Sequence, residues 1–327
     1  MNIFEYLGLV PDHRTDSKVT QFVKHYDEVS DIHKDKKFVG QVKKDGVCSL
    51  TVIQGEVAAI FSRTGKRFTN TGKLEHDIEC MGLSNGIYLG EMCCNLVSLE
   101  QLSGVTNPNR VNPVKPDMAH VPNNLEMHWF DLVSINSFIE GFSPASFETR
   151  HNVLRNRFTS APGYFKGPPT SLSVISYTPL HSELAISKFA DAAIKIGEEG
   201  IVIRDPEATW EAGHKGWRVM KKVRGVDYDL MCIGYEEGKG KYAGKVANLI
   251  FGWKDGLEIK CMLGKGWTHK DAENMFHDIQ VQAKTFGPQN SPIGQIFQVY
   301  ALEESSKGKL RLPKVGELRH DKSKPDV

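Results

Sequence analysis

The chain has 327 residues, with 41 Lys and Arg against 40 Asp and Glu and a formal net charge of +1. That length predicts two domains, because a single hydrophobic core stops growing before it is reached. A 40% hydrophobic, 25% charged composition excludes a disordered or globally basic chain and leaves room for a locally basic face. In chain order, residues 1–30 read as a short helical lead-in and 38–43 as a strand. Residues 48–53 and 57–62 read as a hairpin turning at "QGE". "GIYLGEMCC" (86–94) and "EMHWFDL" (126–132) are further strands, and "GVTNPNRVNPVKPD" between them is a Pro/Asn-rich loop. "SELAISKFADAAIKIG" (182–197) carries Ile186, Phe189, Ala190, Ala193 and Ile194 at helical spacing, with Ser182 to cap its start and Gly197 its end. Strands at 199–204 and 216–224 close this first region at residue 228.

From residue 229 the pattern changes to short strands separated by Gly-rich turns: "DYDLMCIGYEEG", "VANLIFGWKDG", "LEIKCML" and, later, "GQIFQVYALEES". One helix near 269–286 interrupts them. About five strands and one helix in roughly a hundred residues fit an OB-type barrel, a fold that commonly binds nucleic acid. The expected division is therefore 1–228 and 229–327. Seven lysines (239, 241, 245, 254, 260, 265 and 270) give the second region a basic face suited to backbone phosphates.

Cys48, Cys80, Cys93, Cys94, Cys232 and Cys261 form no Cys-x-x-Cys pair, so free thiols in a reducing compartment are expected rather than a zinc site. The start "MNIFEYLGLVPDHR" lacks the basic region and cleavage site of a signal peptide, and no apolar run approaches ~18 residues. A cytoplasmic chain with no membrane association is expected.

The stretch "FVGQVKKDGVCSL" raises the question of chemistry. A lysine acts as a nucleophile only when burial or cationic neighbours favour its neutral form. Strand alternation puts Lys43 and Asp45 on one face and Lys44 on the other. Lys-x-Asp-Gly alone arises by chance in about 7% of chains this long, so its company decides its meaning. That company is "FSRTGKRF" with Arg63, "YLGEM" with Glu91, "WFDL" with Phe130, "EEGIVIRDPE" with Glu199, "VMKKVR" with Lys221 and Lys222, and "LRLPKVGELRHDK" with Arg319-x-Asp321-Lys322.

This order and spacing resembles the covalent nucleotidyltransferase superfamily, and within it the compact, phage-like ATP-dependent DNA ligases. The resemblance implies an α+β fold: an adenylation (nucleotidyltransferase) domain of antiparallel sheets with flanking helices, followed by a C-terminal OB-fold barrel. It implies nick sealing in duplex DNA, in replication, repair and recombination, through a lysyl-AMP on Lys43, with ATP and Mg²⁺ required and a monomer expected. By similarity Glu91 and Glu199 surround the ribose and the metal, Phe130 stacks on adenine and Arg63 binds phosphate. Lys221 or Lys222 meets the α-phosphate, the family's Lys-x-Lys being shifted here. Arg319 and Lys322 reach the β,γ-phosphates, which requires the second domain to swing over the nucleotide and away again. Gln41 stands where many relatives carry Glu and retains hydrogen bonds for an adenine edge. Cys48 stands where many carry Arg, and Leu89 where many carry Asp. The lead-in of about forty residues is expected to be too short for an extra DNA-binding domain or a nicotinamide-binding module. An RNA ligase or an mRNA-capping guanylyltransferase of the same superfamily is the alternative, and a non-enzymatic OB-fold binder would not need Lys43, Glu91 and Glu199 together.

Overall fold

The computed structural model describes residues 1–327 except 35, 265, 283–290, 303 and 306–307. It divides into two compact units, Met1–Val223 and Arg224–Val327. The strands of the first unit are β1 (Phe22–His25), β2 (Phe38–Lys43), β3 (Val47–Gln54), β4 (Val57–Ser62), β5 (Gly86–Cys93), β6 (Glu126–Val133), β7 (Phe142–Ser143), β8 (Leu172–Val174), β9 (Tyr177–Leu180), β10 (Gly200–Arg204), β11 (Trp210–Glu211) and β12 (Lys215–Val223). They form one sheet ordered β1-β12-β10-β2-β9, a second ordered β4-β3-β5-β6-β8, and a small β7–β11 ribbon.

Local chemistry explains these elements. β3 and β4 are rich in β-branched and apolar residues and turn through Gly55, whose φ of +66° suits a residue without a side chain. β6 buries Met127 and Trp129 on alternate positions, Trp129 packing with Tyr88 and Phe158 against the Phe147–Thr159 helix. The opposite face of that sheet covers Ile3, Phe4, Leu50, Val52, Phe61 and Ile87. On the other sheet, the Glu183–Lys195 helix buries Ile186, Ala190 and Ala193 against Ile201, Ile203 and Met220. Ser182 caps it, its hydroxyl accepting from the Ala185 amide at 3.1 Å.

Three details depart from the sequence expectation. The lead-in is not simply helical: only Ile3–Tyr6 is α-helix, and Phe22–His25 is a strand. That strand pairs parallel with β12, and β8 pairs parallel with β6, so each sheet carries one parallel pair at an edge instead of being purely antiparallel. The loop from residue 104 begins inside a helix, Leu99–Thr106, which Ser98 and Gln101 cap reciprocally.

In the second unit β13 (Val226–Glu237), β14 (Val246–Gly252), β15 (Glu258–Leu263), β16 (Ile296–Ala301) and β17 (Lys314–Leu318) close a barrel ordered β13-β14-β15-β17-β16. Leu230, Leu249, Phe251, Phe297, Val299 and Val315 fill it. Val226–Tyr228 therefore lie in the first barrel strand. β17 falls inside the "LPKVGELR" segment read above only as a motif. The expected helix is observed at His269–His277, capped by Thr268, and its expected end at 283–286 lies outside the described residues, as does Lys265. No helix among the described residues is long and apolar enough to cross a membrane.

Candidate active site

Lys43 is the last residue of β2, directly opposite Gly200 of β10, and its carbonyl accepts from the Glu199 amide at 3.1 Å. Because the strand ends there, alternation does not extend to Asp45. Lys43 and Lys44 are separated instead by their partners, Lys43 with Glu199 and Lys44 with Glu198. Gly200 sits at φ +146°, and a Cβ there would meet Val223 Cα at 2.6 Å, so only glycine lets β10 lie this close to β12.

Glu91 enters from the other sheet, opposite Cys48 in the β3–β5 register. Gly46 makes room for it: a Cβ on Gly46 would fall 2.8 Å from Glu91 Cγ and 2.6 Å from Cys93 Sγ. The Asp-Gly after the two lysines is thus a packing requirement as well as a turn. Burial pushes the Glu91 carboxyl up to about 7, against the opposing pull of Lys43, while Glu199 and Asp45 push the same way as burial. Burial pulls the Lys43 ammonium down, but Glu91 and Glu199 outweigh it and the net direction is up. The Cys48 thiol is driven to about 12 by burial and by Glu91. Arg63, exposed in the turn after β4, acts electrostatically on both Glu91 and Cys48.

The two lysines of "VMKKVR" part company. Lys221 lies opposite Val202, and its ammonium is lowered by burial and then by Lys43, so the two cations share a field. Lys222 instead lies over the Tyr26 ring at 5.4 Å.

Phe130 is half-buried on β6. Gln41, two residues before Lys43 on β2, is 1% exposed. Its side-chain N–H groups donate to the carbonyls of Phe130 (3.1 Å) and Ile175 (3.0 Å), and its oxygen accepts from Arg204 Nε at 3.1 Å. Two carbonyls and a guanidinium around one amide fix its orientation. Both of its N–H donors are therefore engaged within the protein, and its oxygen keeps one lone pair beyond the Arg204 contact. Arg204, Asp131 and Arg150 were not singled out from sequence. Asp131 accepts a bidentate fork from Arg150 at 3.0 and 2.9 Å, in full burial. A charged residue closing "GIVIR" before Asp-Pro looks solvated, and its partners stand far away along the chain.

In the barrel unit Arg319 and Lys322 converge on one carboxylate. Arg319 Nη1 donates to both oxygens of Asp229 at 2.9 and 2.7 Å, while Nε and Nη2 donate to Asp321 at 2.9 and 2.7 Å. Lys322 contacts Asp229 and, at 3.1 Å, Asp326. Arg319 is raised and Asp321 held down to about 2 by their mutual hydrogen bonds. Arg319, His320 and Lys322 line a cleft of about 520 Å³ with Met231, Gln295 and Leu318. The basic face is less free than its composition suggests, since Lys245, Lys254, Lys260 and Lys270 pair with Glu273, Glu304, Glu236 and Glu273. All six cysteines are free.

Hard carboxylate oxygens at Glu91 and Glu199 suit a divalent cation such as Mg²⁺. A carboxyl held near 7 by burial is one whose charge a cation would restore.

Comparison with known proteins bears on the family and the fold. The family model "ATP dependent DNA ligase domain" matches residues 18–223, and "DNA ligase OB-like domain" matches 237–319. A DNA ligase 2 of Korarchaeum cryptofilum is 30% identical over 100 residues, 28% of this chain and 17% of that protein. A DNA ligase of Pyrobaculum calidifontis is 30% identical over 107 residues, 29% of this chain and 18% of that protein. The matched stretch is thus a small part of these longer relatives. Among solved structures, Pmar-Lig_PreS3 superposes with a TM-score of 0.71 at 19% identity, covering 92% of this chain and 67% of that one. A Lig E DNA ligase gives 0.64 at 16%, covering 92% and 98%. The ATP complex of the ATP-dependent DNA ligase of bacteriophage T7 gives 0.53 at 14%, covering 93% and 100%. At these identities the likeness is one of fold: a nucleotidyltransferase domain followed by an OB-like domain.

Proposed function

The chain belongs to the ATP-dependent DNA ligase family, and from that premise we propose that it seals 5′-phosphate/3′-hydroxyl nicks in duplex DNA, as a monomer, through a lysyl-AMP on Lys43. The observation that carries this reading is the seat of Lys43: at a strand end, in contact with Glu199, within the fields of Glu91 and Lys221.

Lys43 rests as an ammonium because two carboxylates favour its charge. Attack needs the neutral amine, so the fields of Glu91 and Glu199 must first be offset. Lys221 acts in that direction, and the proton leaves through the Glu199 carboxylate that already touches it. The amine then forms an N–P bond to the α-phosphate of ATP as the bond to pyrophosphate breaks. Lys221, with Arg63, Arg319 and Lys322, supplies positive charge for the phosphate oxygens. Glu91 and Glu199 would hold Mg²⁺, which supplies Lewis-acid stabilisation of that charge. Phe130 provides the ring on which adenine stacks, and Gln41 braces that ring's backbone. An oxygen of the nick's 5′-phosphate next bonds to the AMP phosphorus as the Lys43 N–P bond breaks and the lysine regains a proton; the 3′-hydroxyl then attacks the 5′-phosphorus, gives its proton to solvent and expels AMP.

Arg319 and Lys322 are engaged by Asp229, Asp321 and Asp326, so each must exchange carboxylate for phosphate to take part. Incubation with α-³²P-ATP and Mg²⁺ tests the proposal. Wild type is expected to acquire a covalent label that nicked DNA discharges, and Lys43→Ala none. Labelling of Lys43→Ala, or labelling from GTP in preference to ATP, would refute it.

A further inference from the structure

Arg204 ends β10 with 5% of its surface exposed. A guanidinium so deeply buried is costly unless its surroundings compensate its charge and donors. Asp131, 4.0 Å from Arg204 Nη1, gives only part of that compensation, because its two oxygens already accept from Arg150. The other contacts of Arg204 are of another kind. Its Nε–H donates to Gln41 at 3.1 Å, and its guanidinium carbon lies over the rings of Phe130 at 5.3 Å and Phe147 at 4.8 Å. Gln41 in turn donates to the Phe130 carbonyl. Phe130 is therefore held twice by the same cation, at its ring directly and at its backbone through one amide.

We propose that Arg204 is a positioning residue for the nucleobase: by fixing the Phe130 ring and the Gln41 amide it sets ATP affinity without acting on the reacting phosphate. This rests on the reading of Phe130 as the adenine platform. The geometry separates binding from chemistry. Gln41 reaches Phe130 and Arg204, while Lys43, two residues along the same strand, reaches Glu199. Loosening the former pair should weaken binding and spare the rate at saturation.

The test compares wild type, Arg204→Lys, Gln41→Leu and the double variant. ATP affinity is measured by isothermal titration calorimetry, KM and saturated rate by formation of the labelled adduct, and folding by thermal melting. Each single variant is expected to weaken ATP binding and raise KM about tenfold, the size of one lost charge-assisted hydrogen bond, with the saturated rate within about twofold. The double variant should be no worse than the worse single one. Folded variants that bind ATP as wild type does would overturn the inference. So would a loss confined to the saturated rate, which is what a merely structural role produces. Should Arg204→Lys fail to melt cooperatively, the affinity of Gln41→Leu decides by the same criterion. A wild type that binds ATP yet forms no adduct refutes the ligase reaction and leaves this inference to the affinities; one that binds no ATP overturns both.

Discussion

Lys44 pairs with Glu198 immediately beside the pair of Lys43 with Glu199, so two adjacent lysines grip two adjacent glutamates across the β2–β10 seam. Neighbouring cations thus have separate duties. Lys43 sits in the field of Glu91, whereas Lys44 bears on Cys93 and His128. Lys44→Met is expected to lower stability by no more than about 1 kcal/mol, the range of a partly exposed pair, and to keep the labelled adduct within about threefold of wild type. Lys43→Met is expected to lose the adduct completely. Thermal melting and α-³²P-ATP labelling read both, and a Lys44→Met protein that folds but takes no label would reverse the assignment.

The Glu91 carboxyl titrates near 7, well above its ordinary 4.5. A raised carboxyl is protonated in the folded chain while still ionised in the unfolded one, so its cost is absent below about 4.5 and complete above about 7. Glu91→Gln removes that cost. At pH 8 the variant should melt at or above the wild-type temperature, by up to about 3 kcal/mol of stability, and at pH 4.5 the difference should close. Activity runs the other way. Adduct formation should rise between pH 6 and 8 with a midpoint near 7, and added Mg²⁺ should move that midpoint lower, because cation and proton compete for one carboxylate. A midpoint indifferent to Mg²⁺ would remove Glu91 from the metal site.

Much of this was legible in the sequence, and what was not shares one cause. β3, β4, β5 and β6 announce themselves by β-branched and alternating residues, and the Glu183–Lys195 helix by its spacing and its Ser182 cap. Those signals are local. β1 gives no strand signal of its own, because its sheet membership depends on β12, nearly two hundred residues later. The burial of Arg204 was invisible because its compensating groups, Gln41, Phe130 and Phe147, come from three other elements. The two carbonyl acceptors of the Gln41 amide are hidden from the sequence for the same reason, since Phe130 and Ile175 lie far along the chain. Lys221 lies in the field of Lys43 and Lys222 over the Tyr26 ring, neighbours from other elements that the spacing along β12 does not reveal.

Asp326 accepts from Lys322 at 3.1 Å and from the Asp229 amide at 2.7 Å. In the proposed reaction this carboxylate would compete with phosphate for Lys322. Asp326→Asn keeps an oxygen for the amide and drops the charge. Its expected effect is a two- to threefold lower KM for ATP in adduct formation, about half a kcal/mol, with the melting temperature little changed. An unchanged or higher KM would mean that Lys322 does not reach the nucleotide.

Salt should separate the lysines of the barrel unit. Each phosphate contact contributes a slope of about −0.9 to log K against log salt. Lys239 is exposed and Lys241 lies over the Tyr242 ring, whereas Lys260 is engaged by Glu236. Affinity for nicked duplex should fall steeply with salt. Lys239→Gln and Lys241→Gln should each flatten the slope by about 1, and Lys260→Gln by less. Equal flattening by all three would show that the ion pair opens on DNA.

Gln41→Glu is the sharpest test of how this pocket is built, because it exchanges the amide for a carboxylate of nearly the same size. In another setting it would be conservative. Here the Gln41 amide, itself buried, donates to two partly buried backbone carbonyls, those of Phe130 and Ile175. A carboxylate has no N–H to offer, so both carbonyls lose a donor and face a negative oxygen. Each buried loss costs about 1–3 kcal/mol. Arg204 recovers part of this, since its Nε–H already points at the side-chain oxygen and would then meet a charged acceptor. The carbonyls outnumber the guanidinium, so the balance is expected to be unfavourable by about 2 kcal/mol. The variant should melt several degrees lower and bind ATP more weakly, with the loss largest above the carboxyl's own pKa and relieved as pH falls and the side chain regains a donor. Melting curves and ATP titrations at pH 5 and pH 8 measure this. A Gln41→Glu protein equal to wild type at pH 8 would mean that the amide contacts to Phe130 and Ile175 contribute nothing to the pocket.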